Sequence, residues 1–206
     1  PATTTQVTNP NASNVQYKLF KVSGTNGAAI YLENGANVLI NDLDILSNEA
    51  NQNGAGIYVE DGATLTIKGG TLSGNKTYYG NGAGIYNKGL ITISKGTLSG
   101  NTISSYNSNP LGEAIYLDGE LKVGSEIRVL EDNTIHLTEG NVIEIQEKLL
   151  YSKAIPVSLW SDANNTKIAY VNTGYVILTD TAVVPNFATV EEVDMMREAA
   201  SGHMMP

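Results

Sequence analysis

The chain has 206 residues, of which 41% are hydrophobic, 12 are basic and 21 are acidic, giving a net charge of −9. Such a chain offers no contiguous positive field, so we expect no nucleic-acid partner and no binding to an anionic membrane. The absence of cysteine excludes disulfides and thiolate metal sites. No apolar run of about 18 residues occurs, so no direct membrane insertion is predicted. The polar start at Pro1, without a basic n-region, predicts a mature or trimmed fragment.

The first residues show no regular pattern. Residues 1–14 are rich in Thr, Asn, Pro and Ala, which predicts an extended, partly disordered leading segment. From Val15 the pattern alternates, with Val15, Tyr17 and Leu19 on one face. This alternation predicts a first strand.

A cassette then recurs to about residue 134. Its first part is a run of small residues ending in Ile-Tyr, at Ile30-Tyr31, Ile57-Tyr58, Ile85-Tyr86 and Ile115-Tyr116, with spacings of 27, 28 and 30 residues. Its second part places an aliphatic residue three positions before an asparagine, at Ile45 and Asn48, Leu72 and Asn75, and Leu98 and Asn101. A period of about 27 residues is typical of a solenoid.

Alternation assigns inward and outward positions within each coil. In the second coil Ala55, Ile57 and Val59 are predicted to point inward and Tyr58 outward. Two more strands are predicted at 65–67 and 71–73, between corners of Gly, Asn and Asp. Three short strands per turn predict a parallel β-helix, and the handedness of parallel crossovers makes it right-handed. Leucine-rich repeats share the period, but they require a helical or 3₁₀ segment that this composition does not favour.

The register loosens after Gly124, although Ile127, Val129 and Asn133 still resemble a coil with inserted residues. Strand-like runs at 141–145, 155–160, 168–171 and 175–178 predict a degenerate coil and β-rich cap over 135–188, which protects the last coil. Thr189 and Glu192 fit a capping box, so 189–206 is predicted to form a short helix and a terminal tail. The predicted fold is all-β: a right-handed single-stranded parallel β-helix over 15–134 with a β-rich C-terminal cap.

Three asparagines, Asn48, Asn75 and Asn101, occupy the same corner in successive coils. A stacked amide can bond to the backbone of the bend and to the amide of the next coil. We therefore predict a structural ladder, with a row of ligand-binding amides as the alternative.

Tyrosines form a second file, predicted to point outward, at Tyr31, Tyr58, Tyr86 and Tyr116. Rings at one-coil spacing stack on one another, and their hydroxyl-bearing faces also suit sugar rings. Spacing alone does not separate packing from binding.

Three connections after the Asn corner differ in length, at 49–53, 76–81 and 102–110. Insertions in a solenoid project from one face, and variable loops there tend to carry binding. The longer two contain Tyr78, Tyr79 and Tyr106, and exposed tyrosines favour interfaces because they have few rotamers to freeze. All seven tyrosines are therefore candidate binding residues.

Catalysis by a β-helix on acidic polysaccharides requires clustered carboxylates near a Lys, Arg or His. Asp42 and Asp44 form the tight pair in the regular coils, with Lys68 near their column, and no second pair stacks above them. We predict no catalytic residue, no metal site and no cofactor.

Other titratable residues are also weak catalytic candidates. Glu113 replaces a small inward residue, which predicts a strand that twists outward, with a catalytic acid as the alternative. His136 and His203 lie beyond the regular coils and are interpreted as surface or satisfied histidines.

Two motifs point to a family. The sequence Gly-Ala-Gly-Ile-Tyr at 54–58 and 82–86, and Leu-Ser-Gly-Asn at 72–75 and 98–101, resemble the repeats of bacterial cell-surface parallel β-helix proteins, including polymorphic outer-membrane proteins and adhesin-like repeats. The resemblance covers about residues 24–134. It implies a secreted or surface-displayed bacterial protein, several of whose relatives act in adhesion.

Three functions follow as hypotheses. The favoured one is a non-catalytic adhesin-like segment or rigid spacer that contacts a glycan or a host-surface protein through its side loops or tyrosine file. The second is a polysaccharide lyase or glycoside hydrolase of the pectate-lyase-like type, with a groove lined by Asp42, Asp44 and Lys68. The third is self-associating structural material.

Overall fold

A computed structural model describes residues 5–8, 25–27, 29–104, 106–130, 132–147, 155–159, 169–171 and 186–187. None of these residues is helical. The strand predicted from Val15, the run at 175–178 and the helix predicted after Thr189 lie outside the described residues.

The strands of the described residues are short, apart from three of ten residues. They are β1 (Thr5–Thr8), β2 (Ile30–Leu32), β3 (Asn37–Asn41), β4 (Ile45–Leu46), β5 (Glu49–Ala50), β6 (Ile57–Val59), β7 (Thr64–Ser73), β8 (Lys76–Thr77), β9 (Ile85–Asn87), β10 (Leu90–Ser99), β11 (Thr102–Ile103), β12 (Ile115–Leu117), β13 (Glu120–Val129), β14 (Ile135–Leu137), β15 (Ile143–Ile145), β16 (Ile155–Leu159), β17 (Ala169–Val171) and β18 (Asn186–Phe187).

Three sheets run along the stack. The eight-stranded sheet has the order β1-β3-β7-β10-β13-β15-β17, with β4 paired to β7, and the seven-stranded sheet has the order β2-β6-β9-β12-β14-β16-β18. A three-stranded sheet contains β5, β8 and β11. Corresponding residues of successive coils pair in parallel, as Ile57 does with both Ile30 and Ile85. The predicted parallel β-helix is therefore confirmed.

One detail of each coil differs from the prediction. The strands predicted at 65–67 and 71–73 are a single strand, β7. Gly69 and Gly70 have φ angles of 155° and 96°, so the backbone bends there while the ladder continues. A Cβ on Gly70 would lie 2.1 Å from the carbonyl oxygen of Leu43 in the preceding coil. The glycine pair suggests a corner in the sequence because it permits a bend, but this bend does not end the strand.

Inward side chains form one continuous hydrophobic core along the stack. The isoleucines of the Ile-Tyr pairs from the second coil onward are fully buried, as are aliphatic residues of the facing sheet: Ile57, Ile85, Ile115, Leu65, Ile67, Ile91 and Val123. Burying one such side chain stabilises the fold by about 1.5–3 kcal/mol. Each additional coil therefore stabilises the coil before it.

Pairing continues at both ends of the predicted repeats. β14 and β16 extend the seven-stranded sheet, β15 and β17 extend the eight-stranded sheet, and β18 pairs with β16 in the antiparallel direction. At the other end β1, within the predicted leading segment, pairs in parallel with β3. The boundaries drawn between the four predicted segments stay predictions.

Candidate functional site

The outward tyrosines of the seven-stranded sheet form a continuous stack, here called the tyrosine column: Tyr31, Tyr58, Tyr86 and Tyr116. Their strands pair in register, which places the middle residue of each strand directly over the next. Successive ring centroids are 5.0, 5.1 and 4.9 Å apart, with interplanar angles of 4–6°. Such pairs contribute about 0.5–1.5 kcal/mol beyond the area they bury.

Stacking leaves few free ring faces in the column. Tyr58 is 9% exposed between its two neighbours, whereas Tyr31, at the end, is 43% exposed. A sugar ring would have to displace a neighbouring ring to reach an inner face. The column therefore presents mainly ring edges and hydroxyls, a geometry that favours packing, and ligand binding by the column stays a prediction.

Three hydroxyls of the column, those of Tyr31, Tyr86 and Tyr116, are held in the neutral form. Burial raises the pKa of Tyr86 and of Tyr116. The hydrogen bond that Tyr31 donates to the Glu60 carboxylate, with burial, raises the pKa of Tyr31 to about 12. The same bond, together with the backbone N–H of Asn34 at 2.9 Å, lowers the pKa of Glu60. At neutral pH these hydroxyls are hydrogen-bond donors and not bases or nucleophiles.

His136 adds a fifth ring to the column. It is buried, its ring centroid lies 5.3 Å from that of Tyr116, and its Nδ1 is 3.0 Å from the Ser158 hydroxyl. Burial lowers the pKa of His136, although the negative charge of Glu113 opposes that shift. The imidazole is therefore a neutral packing element near pH 7.

The predicted Asn corner forms a buried amide ladder. The Oδ1 atom of Asn75 accepts from the backbone N–H and the Nδ2 of Asn48, at 3.1 and 2.9 Å, and Asn101 Oδ1 accepts the same pair from Asn75. Asn133 continues the series beyond Asn101. The Nδ2 of Asn75 also donates to the carbonyl of Ile45 at 3.0 Å. The ladder thus satisfies backbone groups that the corner would otherwise leave unpaired.

A second amide ladder lies at another corner and was missed by the sequence analysis. Asn26 Oδ1 accepts the backbone N–H of Asn53 at 3.1 Å, Asn53 Oδ1 accepts that of Asn81 at 2.7 Å, and Asn81 Oδ1 accepts that of Leu111 at 3.1 Å. The signal was an Asn-Gly pair at the start of three cassettes, whose glycines all have positive φ. Likewise, Ile-His-Leu at 135–137 repeats the Ile-Tyr-Leu pattern and could have placed His136 in the column.

The carboxylates considered for catalysis have local structural partners. Asp44 Oδ1 accepts the backbone N–H of Thr71 at 2.8 Å, and Glu113 accepts a hydrogen bond from the Thr134 hydroxyl. Asp42 and Lys68 are exposed. Among the described residues no three His, Cys, Asp or Glu side chains come together to hold a metal ion.

Two shallow grooves lie where the seven-stranded sheet turns into the eight-stranded sheet. Their shared lining includes Gly119, Glu120 and Asn141. A Cβ on Gly119 would lie 2.3 Å from the carbonyl oxygen of Gly89, so the backbones of successive coils pack closely at this corner. Neither groove contains Asp42, Asp44 or Lys68.

The three loop tyrosines differ in their surroundings. The Tyr78 hydroxyl donates to Glu49 Oε2 at 2.9 Å, and Lys76 Nζ lies 4.9 Å from the centre of the Tyr78 ring. Tyr79 and Tyr106, here called the loop pair, stack on each other with centroids 5.8 Å apart and an angle of 28°. They remain 57% and 69% exposed. Tyr78 is therefore engaged by the fold, whereas the loop pair faces solvent.

The backbone around the loop pair is fixed by hydrogen bonds. The N–H of Tyr79 donates to the carbonyl of Asn51 at 2.9 Å. Asn107 Nδ2 donates to the carbonyl of Gly80 at 2.9 Å and to Asn81 Oδ1 at 3.0 Å, which ties the two loops together. The aromatic pair is therefore a pre-formed feature of the surface.

A stack of parallel coils with an aliphatic core, amide ladders at the corners and an aromatic column outside defines a β-helical solenoid. A family model described as the right handed beta helix region matches residues 7–154. The chain belongs to this family, and the predicted right-handed β-helix is confirmed. A search of curated proteins and a search of solved structures each found no significant match. Among the described residues no helix is long and apolar enough to cross a membrane.

Proposed function

We propose that this chain is a non-catalytic protein of the bacterial surface or secreted fraction, an adhesin-like segment or rigid spacer that binds a glycan or a host-surface protein. The loop pair carries the proposal, since Tyr79 and Tyr106 stack on each other yet keep more than half of their surface in solvent. Exposed, rigid tyrosines provide contact area at a low cost in conformational entropy. Aromatic residues on the loops of a rigid scaffold are typical of binding sites.

The coils provide a stiff support for such a site. Each coil is paired with the next in the two large sheets, and the amide ladders join the corners. Local deformation would break several hydrogen bonds at once, so the loops keep their positions relative to the stack. This stiffness also supports the spacer role.

The lyase or hydrolase alternative has less support. It requires Asp42, Asp44 and Lys68 to act together on a substrate, but one oxygen of Asp44 already serves the backbone of the next coil. The hydroxyls of Tyr31, Tyr86 and Tyr116 have raised pKa values and are poor general bases at neutral pH.

The proposal is tested by retention of the purified chain on panels of immobilised glycans and host-cell surfaces. We expect the double variant Tyr79→Ala/Tyr106→Ala to lose at least about tenfold in retention. Leu130→Ala, which removes an exposed hydrophobic side chain outside the loops and the tyrosine column, serves as the control and should be retained like the unmodified chain. Equal retention of the double variant would contradict the proposal.

A second measurement separates binding from the other two functions. Product release from uronic-acid polymers at enzyme-like rates, with or without calcium, would contradict the non-catalytic assignment. End-to-end oligomers in analytical ultracentrifugation, with both panels blank, would favour self-associating structural material instead.

A further inference from the structure

We propose that the surface around the loop pair recognises a neutral glycan, an inference that rests on the proposed function and names its ligand class. The sequence around the loops contains no charged residue. Segments 50–59, 77–87 and 102–112 lack Asp, Glu, Lys and Arg, although 16% of the whole chain is charged. The three segments are adjacent in space because they occupy the same part of successive coils. The uncharged residues therefore form one continuous surface across three coils.

Hydrogen-bonding groups on this surface are amides and hydroxyls. Asn51 and Gln52 are exposed in the coil that precedes Tyr79, and Ser108 and Asn109 are exposed close to Tyr106 along the chain. Amide side chains offer donors and acceptors together, which matches sugar hydroxyls, since each hydroxyl also does both. A neutral sugar can thus be bound with no charged group left unpaired.

An acidic ligand finds no suitable partner here. A carboxylate or sulfate is recognised by Arg or Lys, and Lys76, the lysine next to the loop that carries Tyr79, is directed over the ring of Tyr78. The chain also carries a net charge of −9, which opposes the approach of a polyanion. Uronic-acid polymers are therefore excluded from this surface by local chemistry and by long-range charge.

The size of the aromatic patch favours a glycan over a protein. A stable protein interface takes about 20–30 residues from each partner around a buried apolar centre. Tyr79 and Tyr106 are the exposed large hydrophobic residues of the loop side among the described residues, the others being Tyr31 and Leu130. The two rings cover one face of each other, and each outer face suits the C–H face of one sugar unit.

Calorimetric titration of the full chain tests this inference, with galactomannan and hydroxyethylcellulose as neutral polymers and polygalacturonate as the acidic one. We expect binding to at least one neutral polymer, weakened about tenfold by Tyr79→Ala or by Tyr106→Ala. Leu130→Ala, which removes an exposed hydrophobic side chain outside the loops and the tyrosine column, should bind like the unmodified chain. Polygalacturonate should stay unbound even at about 1 M salt, where the screening length falls to about 3 Å and long-range repulsion no longer decides the result.

Three outcomes of this titration would overturn the inference. They are polygalacturonate binding at least as tightly as the neutral polymers, no binding of either neutral polymer, and neutral binding that both tyrosine variants leave unchanged. Retention on cells that needs Tyr79 and Tyr106, yet survives periodate oxidation of the cell-surface sugars, would indicate a protein partner. That result would overturn the neutral-glycan inference while the proposed binding function stands.

Discussion

Tyrosine serves opposite purposes on two sides of this molecule. In the tyrosine column the rings are nearly parallel, about 5 Å apart, and each inner ring covers its neighbours. The loop pair is also stacked, but Tyr79 and Tyr106 are 57% and 69% exposed, against 9% for Tyr58. A residue that repeats at the coil period is buried by its own copies, whereas a residue in an irregular loop has few copies to cover it. Regular repetition thus stabilises the stack. Irregular loops, which lack that repetition, can keep binding residues exposed.

The largest expected effect on stability comes from a substitution in the repeated amide ladder. Replacing Asn75 by Ala removes the acceptor of two bonds from Asn48 and a donor to the Ile45 carbonyl. Each buried group left unpaired costs about 1–3 kcal/mol, so we expect the free energy of unfolding to fall by about 4 kcal/mol. Chemical denaturation followed by circular dichroism measures this change.

A matched control is available on the loop side. Asn51 is exposed, and the bond it makes to Tyr79 uses its backbone carbonyl, so Asn51→Ala should change the free energy of unfolding by less than about 0.5 kcal/mol. If Asn75→Ala and Asn51→Ala were equally stable, the amide ladder would have no special part in holding the coils together.

A direct comparison of the two kinds of tyrosine should give the next largest effect. Tyr58→Ala removes a ring held between two others and leaves a gap in the column, so we expect a loss of about 3 kcal/mol in the free energy of unfolding. Tyr79→Ala removes a ring that is mostly in solvent and should cost less than about 1 kcal/mol. The same denaturation experiment applies, and Tyr58→Phe, which keeps the ring, should be close to the unmodified chain. A greater loss from Tyr79→Ala than from Tyr58→Ala would reverse the proposed roles.

The parts of the fold that the sequence predicts are those set by repetition. Positions spaced by one coil, such as Ile57 and Ile85, are paired in the structure because the two-residue period and the coil period together determine register. The tyrosine column follows from the same two periods. Little sequence information beyond these periods is needed to predict a β-helix, since each coil packs against the one before it.

Other features depend on three-dimensional surroundings that periodicity does not contain. The continuity of β7 through Gly69 and Gly70 depends on how closely the Leu43 carbonyl approaches. The different exposure of Tyr78 and Tyr79, which are adjacent in sequence, depends on the positions of Glu49 and Lys76. Side-chain contacts of this kind arise between coils, so they become visible only once the loops have been built.

The smallest expected effect comes from His136, at the end of the tyrosine column. It tests whether the column extends beyond Tyr116. Burial lowers the folded-state pKa of His136 below 6.5, so the unfolded chain takes up a proton first as the pH falls. The stabilisation from the neutral imidazole is complete above about pH 6.5 and is lost as the pH falls through the folded-state pKa. His136→Phe keeps a ring on Tyr116 and removes this titration, so the free energy of unfolding of the unmodified chain should fall more than that of the variant between about pH 7 and 5. Nuclear magnetic resonance measures this titration. The imidazole signal of His136 is the one that disappears in the variant, and it should titrate below pH 6.5. A midpoint at or above that value would mean that burial does not outweigh the charge of Glu113, and that the imidazole at the end of the column is not held neutral.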